Sequence, residues 1–362
     1  MARILMIMAG GTGGHIYPGL AVADALRVQG WQIIWLGTRQ GMEARLVPEH
    51  GYPMAWLTMG GVRGNGWLRK LLLPGMLLVA FAQALKAMFR YRPDVVLGLG
   101  GYPSFPGGLM AVLLAKPLVI HEQNAVAGLS NRLLACVADK VLVGFPQAFT
   151  SRQDKPLPCG KVVTQWCGNP VRSEIAALPA RQGDRSGRLR LLVVGGSLGA
   201  AVLNEVVPAA LRLIPAAIRP EVVHQAGGRH AEKLRAYYAQ LGVVADVREF
   251  IADMAQTYAW CDLAITRAGA LTIAELAAAG VPSLLVPYPH AVDDHQTRNA
   301  QFLVANGAAQ LMAQEHLTAE SLAATLLQMD RAQLNRMANC AKSLAKLDAT
   351  AAVAQVCMEL DK

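Results

Sequence analysis

Two glycine-rich turns, each directly after a short apolar run, constrain this chain more than any other feature. One is Ile4-Leu5-Met6-Ile7-Met8-Ala9-Gly10-Gly11-Thr12-Gly13-Gly14-His15. The other is Leu191-Leu192-Val193-Val194-Gly195-Gly196-Ser197-Leu198-Gly199-Ala200. Glycines at a strand-to-helix turn let main-chain N–H groups approach an anion, and the helix start adds partial positive charge. One such turn in each half predicts two nucleotide-type folds facing each other across a cleft, an arrangement suited to joining two phosphate-bearing substrates. The 362 residues match two domains of about 150–200 residues each.

Apolar runs predict strands over 3–8, 32–36, 95–98, 118–120 and 140–143 in the first half. In the second half they predict strands over 189–194, 221–225, 246–250, 262–266 and 282–286. A helix is expected over 18–29, opening at Pro18 and closing at Gly30. Runs this apolar belong to strands buried on both faces, hence to parallel sheets covered by helices: an α/β protein. The segment 151–187 is poor in apolar runs and marks the domain boundary, with Gly168-Asn169-Pro170-Val171-Arg172 as hinge. The alanine- and leucine-rich residues 318–360 predict terminal helices, the last crossing back to the first domain. Ligands of open α/β sheets gather beyond the carboxyl ends of the strands. The glycine turns, His121-Glu122-Gln123-Asn124, Gly269-Ala270-Leu271-Thr272 and Asp293-Asp294-His295-Gln296 all follow predicted strands and share that rim.

Several function classes fall away. A hydrophobic fraction of 53% with 16% charged residues excludes a disordered chain. The net charge of +9 invites a nucleic-acid reading, but the basic residues are dispersed and aromatics amount to 6%. No zinc-finger or RNP-like signature is present, so nucleic acid is not an expected partner. An acidic lipid surface or a phosphorylated substrate accounts for the charge equally well. The first turn lacks the third glycine of a dinucleotide fingerprint, and the second strand ends Trp35-Leu36-Gly37-Thr38 with no carboxylate for a ribose. No P-loop motif, D-x-D pair or zinc-ligand spacing occurs, so neither cofactor nor metal is expected. The six cysteines form no C-x-x-C pair and are read as reduced core thiols of a cytosolic protein, with nothing at the N-terminus resembling a signal peptide.

His15, where a glycine turn opens into a helix, fits either a general base or a residue that orders the loop or donates to a phosphate. His121 and Glu122 are rival bases, or a packed histidine beside a solvent-facing glutamate. Glu275 suits the two hydroxyls of a ribose and equally a capping box with Thr272. Residues 270–272 offer helix-start N–H groups to a diphosphate, with Arg172 or Arg267 as cations. Between His50 and Pro93 there is no acidic residue, while Arg63, Arg69, Lys70, Lys86, Arg90 and Arg92 flank an apolar run. That run is shorter than the roughly 20 residues a bilayer span requires. It is read as a surface-lying membrane segment, with an ordinary crossover helix over 75–90 as the alternative.

Taken in order, GGTGGHIYPGLAVA (10–23), DVVLGLGGYPSFPGG (94–108), HEQNAVAGLSNR (121–132), GNPVR (168–172), GGSLGA (195–200), RAGALTIAEL (267–276) and PHAVDDHQTRNA (289–300) resemble the MurG family of N-acetylglucosaminyltransferases. The resemblance covers nearly the whole chain. It implies a GT-B glycosyltransferase fold, two Rossmann-like domains with parallel sheets facing across a cleft. The domains implied are 1–167, joined by a C-terminal helix 347–362, and 168–346. It implies inverting transfer of GlcNAc from UDP-GlcNAc to the MurNAc C4 hydroxyl of lipid I, the undecaprenyl-diphosphate-linked muramyl pentapeptide, giving lipid II. No cofactor or catalytic metal is implied. The setting implied is the cytoplasmic face of the bacterial inner membrane, peripheral on an anionic surface, with the cell-wall synthesis machinery as possible company.

Residue by residue, the family's donor contacts fall on Thr12, Gly13, Gly14, Asn124, Arg172, Ser197, Ile251, Ala270, Leu271, Thr272, Ile273, Ala274, Glu275 and Gln296. Acceptor contacts fall on Gly100, Gly101 and Tyr102, and the membrane patch on Leu77, Leu78 and Phe81. Leu198 replaces a glutamine common in the family, and His295 stands where some members have a second glutamine. The nearest enzymatic alternative sharing fold and UDP site is a non-hydrolysing UDP-sugar epimerase. A membrane-docked UDP-sugar-sensing protein without turnover is the alternative of another class.

Overall fold

The computed structural model describes residues 2–58, 67–149, 157, 159–180, 185–196 and 199–361, the side chains of 67–73 excepted. Ser197, Leu198 and Arg63 lie outside the described residues, as do the side chains of Arg69 and Lys70. The chain divides into one unit of Met1–Arg172 with Lys346–Lys362 and a second of Ser173–Ala345. The first division therefore falls after Arg172 rather than after Cys167.

In chain order the first unit holds β1 (Ile4–Ala9), α1 (Gly13–Val28), β2 (Gln32–Thr38), α2 (Glu43–Glu49), β3 (Met54–Leu57), α3 (Trp67–Tyr91) and β4 (Val95–Gly100). It continues with α4 (Ser104–Leu113), β5 (Leu118–Glu122), α5 (Leu129–Leu134), β6 (Lys140–Val143) and β7 (Gln165–Trp166). The second unit holds α6 (Ser173–Ala176), β8 (Arg190–Val194), α7 (Ala201–Leu213), β9 (Glu221–Gln225), α8 (Ala231–Gln240), β10 (Asp246–Arg248), α9 (Met254–Trp260) and β11 (Leu263–Thr266). After it come α10 (Ala270–Ala279), β12 (Ser283–Leu285), α11 (His295–Val304), β13 (Ala309–Leu311), α12 (Ala319–Gln328) and α13 (Arg331–Ser343). The last helix, α14 (Ala349–Glu359), belongs to the first unit.

Each unit is a doubly wound parallel sheet. The first has strand order β3-β2-β1-β4-β5-β6-β7 and the second β10-β9-β8-β11-β12-β13. Every pairing is parallel, so both faces need covering. Strand alternation does this in the first unit. Leu5, Ile7 and Ala9 join Leu20 and Ala23 of α1 and Val353 and Cys357 of α14 in one core. Met6 and Met8 join Ala84 and Met88 of α3 and Met110 of α4 in the other. The return of the last helix to the first domain is thus a packing requirement, because α14 covers apolar strand residues beside α1.

In both sheets the strand order reverses beside the strand that precedes a glycine turn, between β1 and β4 and between β8 and β11. That reversal is where the loops of an open α/β sheet part and leave a crevice. The strands β3, β7 and β13 are only four, two and three residues long, and the apolar-run reading does not include them. Helix α1 starts at Gly13 and keeps Pro18 inside. The proline forfeits only the hydrogen bond to the carbonyl of Gly14, near the helix start.

The six cysteines are not all reduced core thiols. Cys136 and Cys159 form a disulfide with Cα atoms 5.5 Å apart. One follows α5 and the other lies in the turn before β7, so the fold brings together two surface positions that no spacing rule connects. Cys167, Cys261 and Cys357 are buried thiols outside any disulfide, and Cys340 is a half-buried one.

Candidate active site

The first glycine turn is organised by a residue that motif reading passed over. Glu43 of α2 is fully buried and accepts from the backbone N–H of Gly11 (3.0 Å), the N–H of Thr38 (3.0 Å) and the Thr38 hydroxyl (2.7 Å). The carboxylate absent from the end of β2 therefore arrives from the following helix, where it fastens the turn. With Gly11 committed, the N–H groups at the start of α1, among them Gly13 and Gly14, are the ones directed outward. Thr12 is the N-cap, extended in backbone, exposed, and without a side-chain capping bond.

Across the sheet reversal, Gly100 ends β4 and Gly101 follows it, with φ of +103° and +81°. A Cβ at Gly101 would fall 2.3 Å from the carbonyl oxygen of Gly10, so the two turns meet backbone to backbone and only glycine fits. A Cβ at Gly100 would lie 3.0 Å from Cε1 of His15, so the imidazole rests on this glycine. Half-buried Tyr102 lies beside them. His15 and the Gly100-Gly101-Tyr102 turn, separate in sequence, thus share one end of the sheet.

The end of β5 supplies the next layer. His15 Nδ1 lies 2.8 Å from Gln123 Oε1, and Gln123 Nε2 donates to the carbonyl of His121 at 3.0 Å. The same Nε2 lies 3.0 Å from His121 Nδ1, and His121 Nε2 lies 2.9 Å from the carbonyl of Gly168. His121 is completely buried, and desolvation pulls its pKa down to about 4, so the ring is neutral near pH 7. Asn169 donates to the Gln123 carbonyl at 2.9 Å. The GNPVR segment thereby braces the HEQN loop within the first unit.

Glu122 is buried, not solvent-facing. Its carboxylate accepts from Asn124 N (2.9 Å), Asn124 Nδ2 (3.2 Å), Gly128 N (3.1 Å) and Asn131 Nδ2 (2.8 Å). With four donors converging on it, the carboxylate is an acceptor that shapes the loop. Asn124 is positioned by that carboxylate. Arg172, grouped with the donor residues by resemblance, lies in the first unit with its guanidinium 5.9 Å from the Tyr17 ring centre.

In the second unit, Gly195 and Gly196 follow β8, and Gly199 comes so close to Ala226 that a Cβ would fall 2.1 Å from its carbonyl oxygen. Ser197 lies outside the described residues. Helix α10 begins at Ala270 after N-cap Gly269, so Ala270, Leu271 and Thr272 present the first-turn N–H groups at the carboxyl end of β11. Ile273 and Ala274 continue the turn. Thr272 is the third helical residue and makes no capping bond, which removes the capping-box reading of Glu275. Glu275 is nearly buried and accepts from the Tyr258 hydroxyl at 3.3 Å.

Ile251 is buried just after β10. Gln296 Oε1 accepts from Tyr288 N (2.9 Å) and Ala268 N (3.3 Å), tying the β12 and β11 loops together. Arg267 is turned inward. It donates to the carbonyls of Val286 (3.1 Å) and Pro287 (3.0 Å) and to Gln314 (2.7 Å), and burial lowers its pKa. That leaves the α10 start as the element offered to an anion. Among the described residues no three His, Cys, Asp or Glu side chains gather as metal ligands.

Of the expected membrane residues, Leu78 is 70% exposed, Leu77 is half-buried, and Phe81 packs edge-on against Phe105 of α4. No helix among the described residues is long and apolar enough to cross a membrane.

The glycosyltransferase family 28 N-terminal domain matches residues 5–143 and the corresponding C-terminal domain residues 190–356. A Thiobacillus denitrificans protein named UDP-N-acetylglucosamine–N-acetylmuramyl-(pentapeptide) pyrophosphoryl-undecaprenol N-acetylglucosamine transferase is 62% identical over 361 residues, 99% of each chain. Its namesake in Dechloromonas aromatica is 56% identical over the full length of both. The crystal structure of Acinetobacter baumannii MurG superposes with a TM-score of 0.81 at 39% identity over 99% of each chain. A UDP-N-acetylglucosamine 2-epimerase structure, at 15% identity and a TM-score of 0.63 over 98% of this chain and 95% of that one, shares the fold.

Proposed function

The chain belongs to the MurG family of glycosyltransferase family 28, and from that premise we propose how its own residues carry out the reaction. It transfers N-acetylglucosamine from UDP-GlcNAc to the N-acetylmuramyl-pentapeptide carried on pyrophosphoryl-undecaprenol (lipid I), giving lipid II. The observation that carries the mechanism is the meeting of His15 with Gly100 at the sheet reversal of the first unit.

The acceptor's diphosphate lies against Gly100, Gly101 and Tyr102, beside the amides of Gly13 and Gly14 and the imidazole of His15. The C4 hydroxyl oxygen of the acceptor's N-acetylmuramyl unit attacks the anomeric carbon of GlcNAc, the bond from that carbon to the β-phosphate oxygen breaks, and UDP leaves with the electron pair. His15 takes the C4 proton. One displacement inverts the anomeric centre. The second unit holds the donor: Glu275 takes the ribose, the backbone at Ile251 the uracil, and the N–H groups of residues 270–272 the diphosphate, with Ser197 and Gln296 as further contacts. Preplaced amides facing the charge that grows on the leaving phosphate are the larger catalytic contribution. The engaged carboxylate of Glu122 favours His15 as the base.

The same reading places the protein on an anionic bilayer at the cytoplasmic face of the inner membrane. Leu78, Val79 and Phe89 are exposed on α3, among Lys86 and Arg90. Inserting a leucine side chain contributes about 2 kcal/mol, and each nearby basic residue about 1 kcal/mol.

Radiolabelled UDP-GlcNAc with a lipid I analogue in anionic vesicles tests both parts. Label enters lipid II only with acceptor present, and Leu78→Glu lowers vesicle co-sedimentation by roughly tenfold or more. UDP-ManNAc formed from donor alone would support an epimerase instead. Tight UDP-GlcNAc binding without lipid II would support a sensing protein. Unchanged sedimentation of Leu78→Glu would remove α3 from the membrane contact.

A further inference from the structure

The hydrogen-bond chain behind His15 has a direction, and two backbone carbonyls set it. A carbonyl oxygen only accepts. The carbonyl of Gly168, 2.9 Å from His121 Nε2, therefore requires the proton of the neutral His121 ring to sit on Nε2 and leaves Nδ1 as an acceptor. The carbonyl of His121, 3.0 Å from Gln123 Nε2, requires the amide nitrogen of Gln123 at that position. Its second N–H meets His121 Nδ1 at 3.0 Å. The Gln123 oxygen is then the atom facing His15 Nδ1 at 2.8 Å, and since it also only accepts, His15 carries its proton on Nδ1. In the neutral imidazole the remaining nitrogen, Nε2, then holds a lone pair.

We propose that Gln123 is a positioning residue for the transfer reaction. Anchored through His121 to the Gly168 carbonyl, it locks His15 in the Nδ1–H tautomer and keeps Nε2 unprotonated as the proton acceptor. The proposal rests on the reading of His15 as base. The surroundings suit such a lock: Gln123 is 1% exposed, Asn169 holds its backbone carbonyl, and Gly100 supports the His15 ring from beneath. The same relay gives Gly168 a role beyond that of a hinge. Its φ of +84° and its approach to Lys346, where a Cβ would fall 2.3 Å from that side chain's Cβ, fix the carbonyl that starts the chain.

The test uses the full-length protein labelled with ¹⁵N in its histidines. The His15 resonances are identified by their loss in His15→Ala. The wild type should show a pyrrole-type Nδ1 and a pyridine-type Nε2 for His15. Gln123→Met, close in shape but unable to accept that hydrogen bond, should lose this pattern and lower kcat roughly 10- to 100-fold, within what the base itself contributes. Its KM for UDP-GlcNAc should stay within about threefold of the wild type, since the chain touches no donor group assigned here.

A wild-type His15 protonated on Nε2 overturns the proposal, and wild-type kcat in Gln123→Met overturns it even if the wild-type spectrum fits. The wild-type spectrum needs no variant to fold. If His15→Ala is inactive while Gln123→Met is fully active, the positioning role alone fails. If His15→Ala itself keeps wild-type kcat, the base reading fails and the proposal falls with it.

Discussion

His15→Ala is expected to lower kcat for GlcNAc transfer by about 10²–10⁴-fold, the usual contribution of a general base, while the UDP-GlcNAc KM changes little. The expectation comes from place as much as from residue type. His15 is the third residue of α1, its ring lies on Gly100, and its Nδ1 is held by Gln123. The alternative proton acceptor in the same loop, Glu122, already accepts four hydrogen bonds from its own loop and α5. A carboxylate so engaged has little lone-pair capacity for a substrate proton. Steady-state kinetics with saturating lipid I analogue measure the effect directly. Near-wild-type turnover in His15→Ala would assign the proton to water or another group and leave the histidine a loop-ordering role.

For Glu275→Ala the effect belongs on the donor side. Hydrogen bonds to a charged group contribute about 1.5–3 kcal/mol each, so losing the ribose contact should raise the UDP-GlcNAc KM by roughly 10- to 100-fold. The side chain is nearly buried and also accepts from Tyr258, so alanine leaves that hydroxyl without this acceptor and some loss of stability accompanies the kinetic change. Glu275→Gln separates the two contributions. It preserves an acceptor for Tyr258 yet removes the charge, so its melting temperature should stay near the wild type while the donor KM still rises. An unchanged donor KM in both variants would contradict the ribose assignment.

How much of this was legible in advance depended on whether the physical signal was local. The glycine turns were plain because positive φ and close backbone approach require glycine, as at Gly101 against Gly10. Helix α10 and its N–H groups were equally plain, following an apolar strand and a glycine. The capping-box alternative for Glu275 was different, because it depended on where the helix starts. With the N-cap at Gly269, Thr272 is already inside the first turn. Glu43 gave no motif signal, since its partners Gly11 and Thr38 belong to separate connections. The Cys136–Cys159 pair was missed for the same reason. Arg267, a natural choice for binding phosphate, spends its donors on carbonyls reached only in the folded state.

The order of apolar runs and glycine turns was enough to specify two α/β units with parallel sheets, since buried strands and phosphate-type turns are written in contiguous residues. The ordered motifs likewise specified the family. Tertiary structure alone decided which side chains serve one another: that Glu43 fastens the first turn, that Glu122 is an internal acceptor, and that Gln123 stands between two histidines. Those assignments depend on hydrogen bonds between residues far apart in the chain, whose direction is set by carbonyl groups that folding buries and fixes in place.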